Sequence, residues 1–229
     1  GPQGPQGPSG SLAAYGDGSA GALSVPAASI LDLTTPAGYN SLAGRHHLQF
    51  TTINIAGELR IPSGVTLRAT GAVTISGVIR VYPATESGHP GVSLRPAATI
   101  MGGAGLSPLR AAQIINLSTG GGAGYRTNVN VTSGGEGGGA FSIFAQGGIS
   151  VTSSGVIEAN GTAGVRATSG NVPGAGGGAG GVIVLASKST ITVSGSIRAN
   201  GGNGADGFDS GGTADGGGGG GGGGVVHLI

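Results

Sequence analysis

The sequence predicts an all-β protein with almost no α-helix, built from stacked repeats and ordered glycine-rich segments. Three observations predict it. Glycine supplies 55 of 229 residues, and the apolar 37% is mainly Ala, Val, Ile and Leu with only 3% aromatic residues. Small β-branched side chains with Gly, Ser and Thr suit narrow, layered β-structure. A nine-residue alternating motif recurs along the chain. Finally, islands of glycine run straight into short apolar segments, the longest being Gly216–Gly224 before Val225-Val226-His227-Leu228-Ile229.

The chain opens with Gly1-Pro2-Gln3, Gly4-Pro5-Gln6 and Gly7-Pro8-Ser9. Glycine at every third position is what three closely packed extended chains require, because only hydrogen fits at their common axis. Residues 1–10 are therefore expected to be the end of a collagen-like triple helix, which implies a homotrimer. The chain lacks an initiator Met and begins in mid-repeat, and it is expected to be the C-terminal part of something longer. Residues 11–50 are expected to be a transition segment. Tyr15–Ser19 is turn-like, and Ala27–Leu33 and Leu48–Ile55 have strand character, with Pro26 and Pro36 bracketing the first.

Residues 51–100 carry the repeat. Ile53–Ile61 aligns with Val73–Val81, again with Ile191–Ala199, and more loosely with Ile149–Ala159. The pattern is apolar-polar-apolar, small, Gly, any, apolar, charged, apolar. Period-two alternation buries one face of each strand. The glycine is expected at a corner, where a positive φ costs it nothing. Gly57 and Gly77 are 20 residues apart, about one coil of a β-solenoid. A half-buried strand alone is unstable, and stacked coils supply its partner.

Residues 101–229 are expected to form a Gly-rich distal domain in which each unit gains an excursion. Gly138–Phe144 is echoed by Gly180–Ala186 and by Gly223–Ile229, with excursions over 160–181 and 200–224. Extended polyglycine has a three-residue turn and no internal hydrogen bonds. Its buried N–H and C=O groups must pair somewhere, so the islands are expected to lie side by side as a polyglycine II bundle. Val225–Ile229 is expected to pair with Val182–Ala186.

Composition excludes several functions. A net charge of +1 with dispersed arginines gives no electrostatic footprint for nucleic acid. No Cys is present, so disulfides and thiolate metal sites are excluded. No apolar run reaches the length of a membrane span. The nine acidic residues are dispersed, Glu58 and Glu158 at polar repeat positions expected to face solvent, so a glycan-cleaving carboxylate pair is not indicated. No nucleophile elbow or phosphate loop stands in a strand–turn–helix context, and no enzyme is expected.

Two patterns bear on metal binding. Gly201–Asp209, with Asp206 and Asp209, matches a Ca²⁺-binding nonapeptide, but that site needs successive copies and only one is present. His46 and His47 could line a trimer axis and hold a transition metal. The favoured expectation is no cofactor. Three Asn-x-Ser/Thr sequons, at Asn116, Asn130 and Asn160, carry meaning only in a host that glycosylates asparagine.

Glycine islands separated by short variable segments, behind collagen triplets, resemble the Gly-rich distal adhesins of phage tail fibres. The segments Leu48–Ile55, Val73–Ile79 and Ala199–Gly204 also resemble Gly-rich proteins of phages and bacteria. The resemblance rests on layout and covers most of residues 11–229. It implies a structural, receptor-binding part of a homotrimeric virion fibre, extracellular, that attaches to a bacterial surface polysaccharide or outer-membrane component without entering the membrane. It also implies other fibre proteins as partners. Two alternatives are a non-binding spacer or bacterial surface filament, and a glycan-degrading tailspike. Ligand contacts are expected from Tyr82, Tyr125, Arg126, Arg166, Asp206, Phe208 and Asp209, which combine ring stacking with hydrogen bonding in the segments around the islands.

Overall fold

The computed structural model describes residues 14–42, 48–82, 134–211 and 216–229, so the collagen triplets lie outside the described residues. The fold is nearly all β, and its sheets are parallel. The first layer holds β1 (Leu23–Val25), β2 (Ile30–Asp32) and β3 (Gln49–Phe50), with a five-residue helix α1 (Pro36–Asn40) after β2. The second holds β4 (Ile53–Ile55), β5 (Glu58–Pro62) and β6 (Val65–Ala69). The third holds β7 (Val73–Ile75), β8 (Val78–Tyr82) and β9 (Ala140–Ala145). The fourth holds β10 (Ile149–Val151), β11 (Val156–Glu158) and β12 (Val182–Ser187), and the last β13 (Ile191–Val193), β14 (Ser196–Arg198) and β15 (Val225–Leu228).

The chain visits three sheets in rotation, one strand per layer. Their orders are β1-β4-β7-β10-β13, β2-β5-β8-β11-β14 and β3-β6-β9-β12-β15. Every strand pair is parallel, and equivalent residues stack. Leu31, Leu59, Ile79, Ile157 and Ile197 form one column. Val25, Ile55, Ile75, Val151 and Val193 form another. Alternation puts these columns, all but Val193, in a single continuous core, while the intervening residues face out. The expected pairing is present: Val182–Leu185 lies in register with Val225–Leu228.

The corner glycines hold a different conformation from the one expected. None of Gly57, Gly77, Gly155 and Gly195 has a positive φ. Glycine is required there by close stacking of successive corners. A Cβ on Gly77 would sit 2.0 Å from the Gly57 carbonyl oxygen, and one on Gly195 2.2 Å from that of Gly155. The same stacking joins the corners by hydrogen bonds, as where the Gly77 N–H donates to the Ile55 carbonyl at 2.8 Å.

Among the described residues, five extended glycine-rich lines leave the corner between the second and third sheets. We call them g1 (134–139), g2 (159–164), g3 (174–181), g4 (199–205) and g5 (216–224). Lines g2 and g4 follow β11 and β14; g1, g3 and g5 lead into β9, β12 and β15. The lines are bonded to one another at every third residue. Gly174, Gly177 and Gly180 N–H groups donate to the carbonyls of Gly216, Gly219 and Gly222. Gly218, Gly221 and Gly224 donate to Ala205, Gly202 and Ala199, an antiparallel relation. Parallel and antiparallel neighbours thus coexist in one lattice.

That lattice needs glycine because the backbones nearly touch. A Cβ on Gly178 would lie 2.0 Å from the Glu136 carbonyl oxygen, one on Gly202 1.9 Å from that of Thr162, and one on Gly174 1.8 Å from that of Ala205. The third row of each inner line points outward and accepts side chains, such as Asn160 and Ala163, Ala179, and Asn200 and Asn203.

Candidate functional site

The far ends of the glycine lines carry two loops. Residues 165–173 join g2 to g3, and residues 206–215, described as far as 211, join g4 to g5. Because the lines are packed side by side, the loops meet. Val172 and Phe208 exchange two backbone hydrogen bonds of 2.9 Å, forming an antiparallel bridge. The Arg166 Nε donates to the Gly207 carbonyl at 3.1 Å, and its guanidinium lies 5.3 Å from the Phe208 ring centroid. At that distance a cation over an aromatic face is attracted by the ring quadrupole. Asn171 Oδ1 accepts from the N–H and the hydroxyl of Ser210, both at 3.0 Å. Gly170, at φ +83°, makes the turn that brings Asn171 round. Asp209 Oδ1 accepts from the Gly211 N–H at 2.8 Å.

Four of the sequence-indicated residues, Arg166, Asp206, Phe208 and Asp209, therefore share one tip. Arg166, Asp206 and Asp209 are exposed, and Phe208 is half-buried. Tyr82 is placed elsewhere, at the end of β8 near the foot of the glycine lines. There it lines a cleft of about 240 Å³ with Arg80, Glu158, Asn160 and Thr162. Tyr125, Arg126, His46 and His47 lie outside the described residues. Among the described residues, no three His, Cys, Asp or Glu side chains gather as a metal group.

An ion-pair ladder on the outer face of the middle sheet went unread in the sequence. Asp32, Arg60, Arg80, Glu158 and Arg198 occupy one stacked position, with Glu58 beside them. Glu58 Oε1 accepts from Arg60 Nε at 2.8 Å and from Arg80 Nε at 3.2 Å. Arg60 also faces Asp32 at 3.6 Å, and Arg80 pairs with Glu158. Two like charges stack in adjacent strands because carboxylates flank them on both sides. Glu58 and Glu158 are not the freely solvated groups expected: their side chains are 22% and 14% exposed. The hydrogen bond from Arg60 is the largest effect on Glu58. Together with the charges of Arg60 and Arg80 it holds the carboxyl below its ordinary pKa, against the opposing effect of burial.

The tip can present a ring edge, two carboxylates and a guanidinium to a ligand at the end of a stiff arm. Comparison with known proteins finds no matching family model, no matching curated protein and no matching solved structure.

Proposed function

We propose that the chain is the structural and receptor-attaching part of a homotrimeric, extracellular fibre, non-enzymatic, that adheres to bacterial surface glycan. In this reading the three parallel sheets are the faces of a β-solenoid and lines g1–g5 form a polyglycine II bundle. The observation that carries it is the bonding of the lines at every third residue, which holds the loops 165–173 and 206–211 together away from the sheets. The three-residue period is that of an extended polyproline II-type helix. Collagen triplets in residues 1–10 support trimerisation. Three tips on one fibre would add avidity to weak single contacts.

The test is binding of fluorescently labelled protein to a panel of bacterial cells and to their isolated polysaccharides. Saturable binding that falls at least tenfold in Phe208→Ala and Arg166→Ala supports the adhesin. Binding by no member of the panel, or binding indifferent to both substitutions, overturns it. A spacer without a ligand is the second reading. It is favoured by the way Arg166, Asn171 and Asp209 spend hydrogen bonds within the tip itself. Solution mass tests the trimer, and a unit that is no multiple of three chains defeats it.

A further inference from the structure

The first and last layers end differently. In the first, Ile30 is 57% exposed but Leu23, Val25 and Phe50 are buried, and Leu33 and Leu42 join the same core. In the last, the core columns come to the surface. Val151 is wholly buried and its neighbour Val193 is 39% exposed; Ile183 and Leu185 are wholly buried and their partners Val226 and Leu228 are 41% and 48% exposed. Among the described residues, strands β13, β14 and β15 are the last strands of their sheets, so each presents an edge that no described strand pairs on this side. Open edges beside exposed apolar side chains invite another chain.

Line g5 belongs to the same layer and indicates what covers it. Only its row Gly218, Gly221 and Gly224 is pressed by neighbours, with a Cβ meeting backbone at 1.9–2.0 Å. Among the described residues, Gly216, Gly219, Gly222 and Gly223 have nothing within 4 Å of such a Cβ, and Gly217 and Gly220 only ordinary contact at 3.6 Å. Their φ values also permit any L-residue. Six glycines of nine thus stand where no described residue of the chain requires them, whereas the inner lines carry side chains in their outward row. A backbone approaching from outside would press on Gly217, Gly220 and Gly223, as g4 presses on the corresponding Gly174, Gly177 and Gly180.

The outer face of g5 also continues the interface between the inner lines. From the strand register, Gly217, Gly220 and Gly223 correspond to Gly174, Gly177 and Gly180, whose N–H groups donate to the next line. The carbonyls of Gly218 and Gly221 correspond to those of Ala175 and Gly178, which accept from g4. One face therefore offers donors and acceptors together. Since the lattice admits parallel and antiparallel neighbours alike, a second copy of g5 complements the first. We propose that this layer, g5 with β13, β14 and β15, docks on the same layer of a second copy of the chain, a two-fold contact that closes on itself.

Solution mass by light scattering and sedimentation tests the contact over a range of concentrations. Gly220→Arg and Leu228→Arg place a charged side chain in the contact at positions with room for it. The wild type is expected to have twice the mass of either variant, whether the smaller unit is one chain or three, with circular dichroism unchanged. Equal masses for the wild type and both variants at all concentrations overturn the proposal. Trimer and docking fail separately: the first concerns whether the smaller unit is a multiple of three, the second whether it doubles.

Discussion

Lines g3 and g5 are nearly the same in composition and unlike in their physics. In g3, two of three rows face a neighbouring backbone, and at every position of them but Ala175 glycine is a packing requirement. In g5, one row in three is so constrained. A glycine count cannot distinguish the two cases; the difference lies in what a Cβ would meet. The same contrast runs through the core, where one column of side chains is sealed in the middle layers and open at the last.

The largest expected effect tests that core contrast. Ile79→Ala, in the middle of its column, should lose about 3 kcal/mol of stability through lost burial and an unfilled cavity. Leu228→Ala, half exposed already, should lose about 1 kcal/mol or less, since the residue buries less apolar surface. Chemical denaturation measures both, and similar losses would erase the distinction between inner and outer layers. Next, Gly178→Ala should cost about 2 kcal/mol, because its Cβ must displace the Glu136 backbone. By contrast Gly222→Ala, at the register position where g3 carries Ala179, should raise the melting temperature slightly, gaining about 0.5 kcal/mol by restricting the unfolded chain. A loss at Gly222 as large as that at Gly178 would show that backbone presses on this row as well.

The ladder gives an intermediate effect. Glu58→Gln should cost about 0.5 kcal/mol near neutral pH, given the partial exposure of its partners. The sign with pH follows from the lowered pKa of Glu58 in the folded state. Its contribution is present above the unfolded value of about 4.3, and it is lost as pH falls through the folded pKa. Wild type and variant should therefore converge in stability on acidification. A gap that widens in acid would contradict the assigned role of Glu58.

Much of this was legible in the sequence, and for a definite reason. Ile53, Val73, Ile149 and Ile191 align by eye because stacked layers impose the same alternation on each copy, so repeat and register are the same information. The pairing of Val225 with Val182 followed in the same way. Strand β1 was not foreseen, because Leu23-Ser24-Val25 has only three residues and takes its strand character from pairing with Ile53–Ile55. The corner glycines were foreseen in place and misread in cause: a sequence shows that a position is glycine, not whether φ or a neighbouring carbonyl demands it. The ladder was within reach, since Arg60, Arg80, Glu158 and Arg198 share one slot of the repeat. Asp32 lies outside that repeat, and only the fold brings it alongside. At the tip, Arg166 and Phe208 are 42 positions apart, and their meeting depends on the packing of lines that carry little side-chain information.

The three-residue bonding period behaves like a reading frame. One residue inserted into g3 would turn everything upstream of it by a third of a turn, carrying Ala179 or Ala175 into rows reserved for glycine and spoiling the frame. Three inserted residues would restore it. Line g5, being glycine throughout, has no frame of its own: a one-residue insertion there is silent within the line, and its phase is fixed only where Val225 enters the sheet.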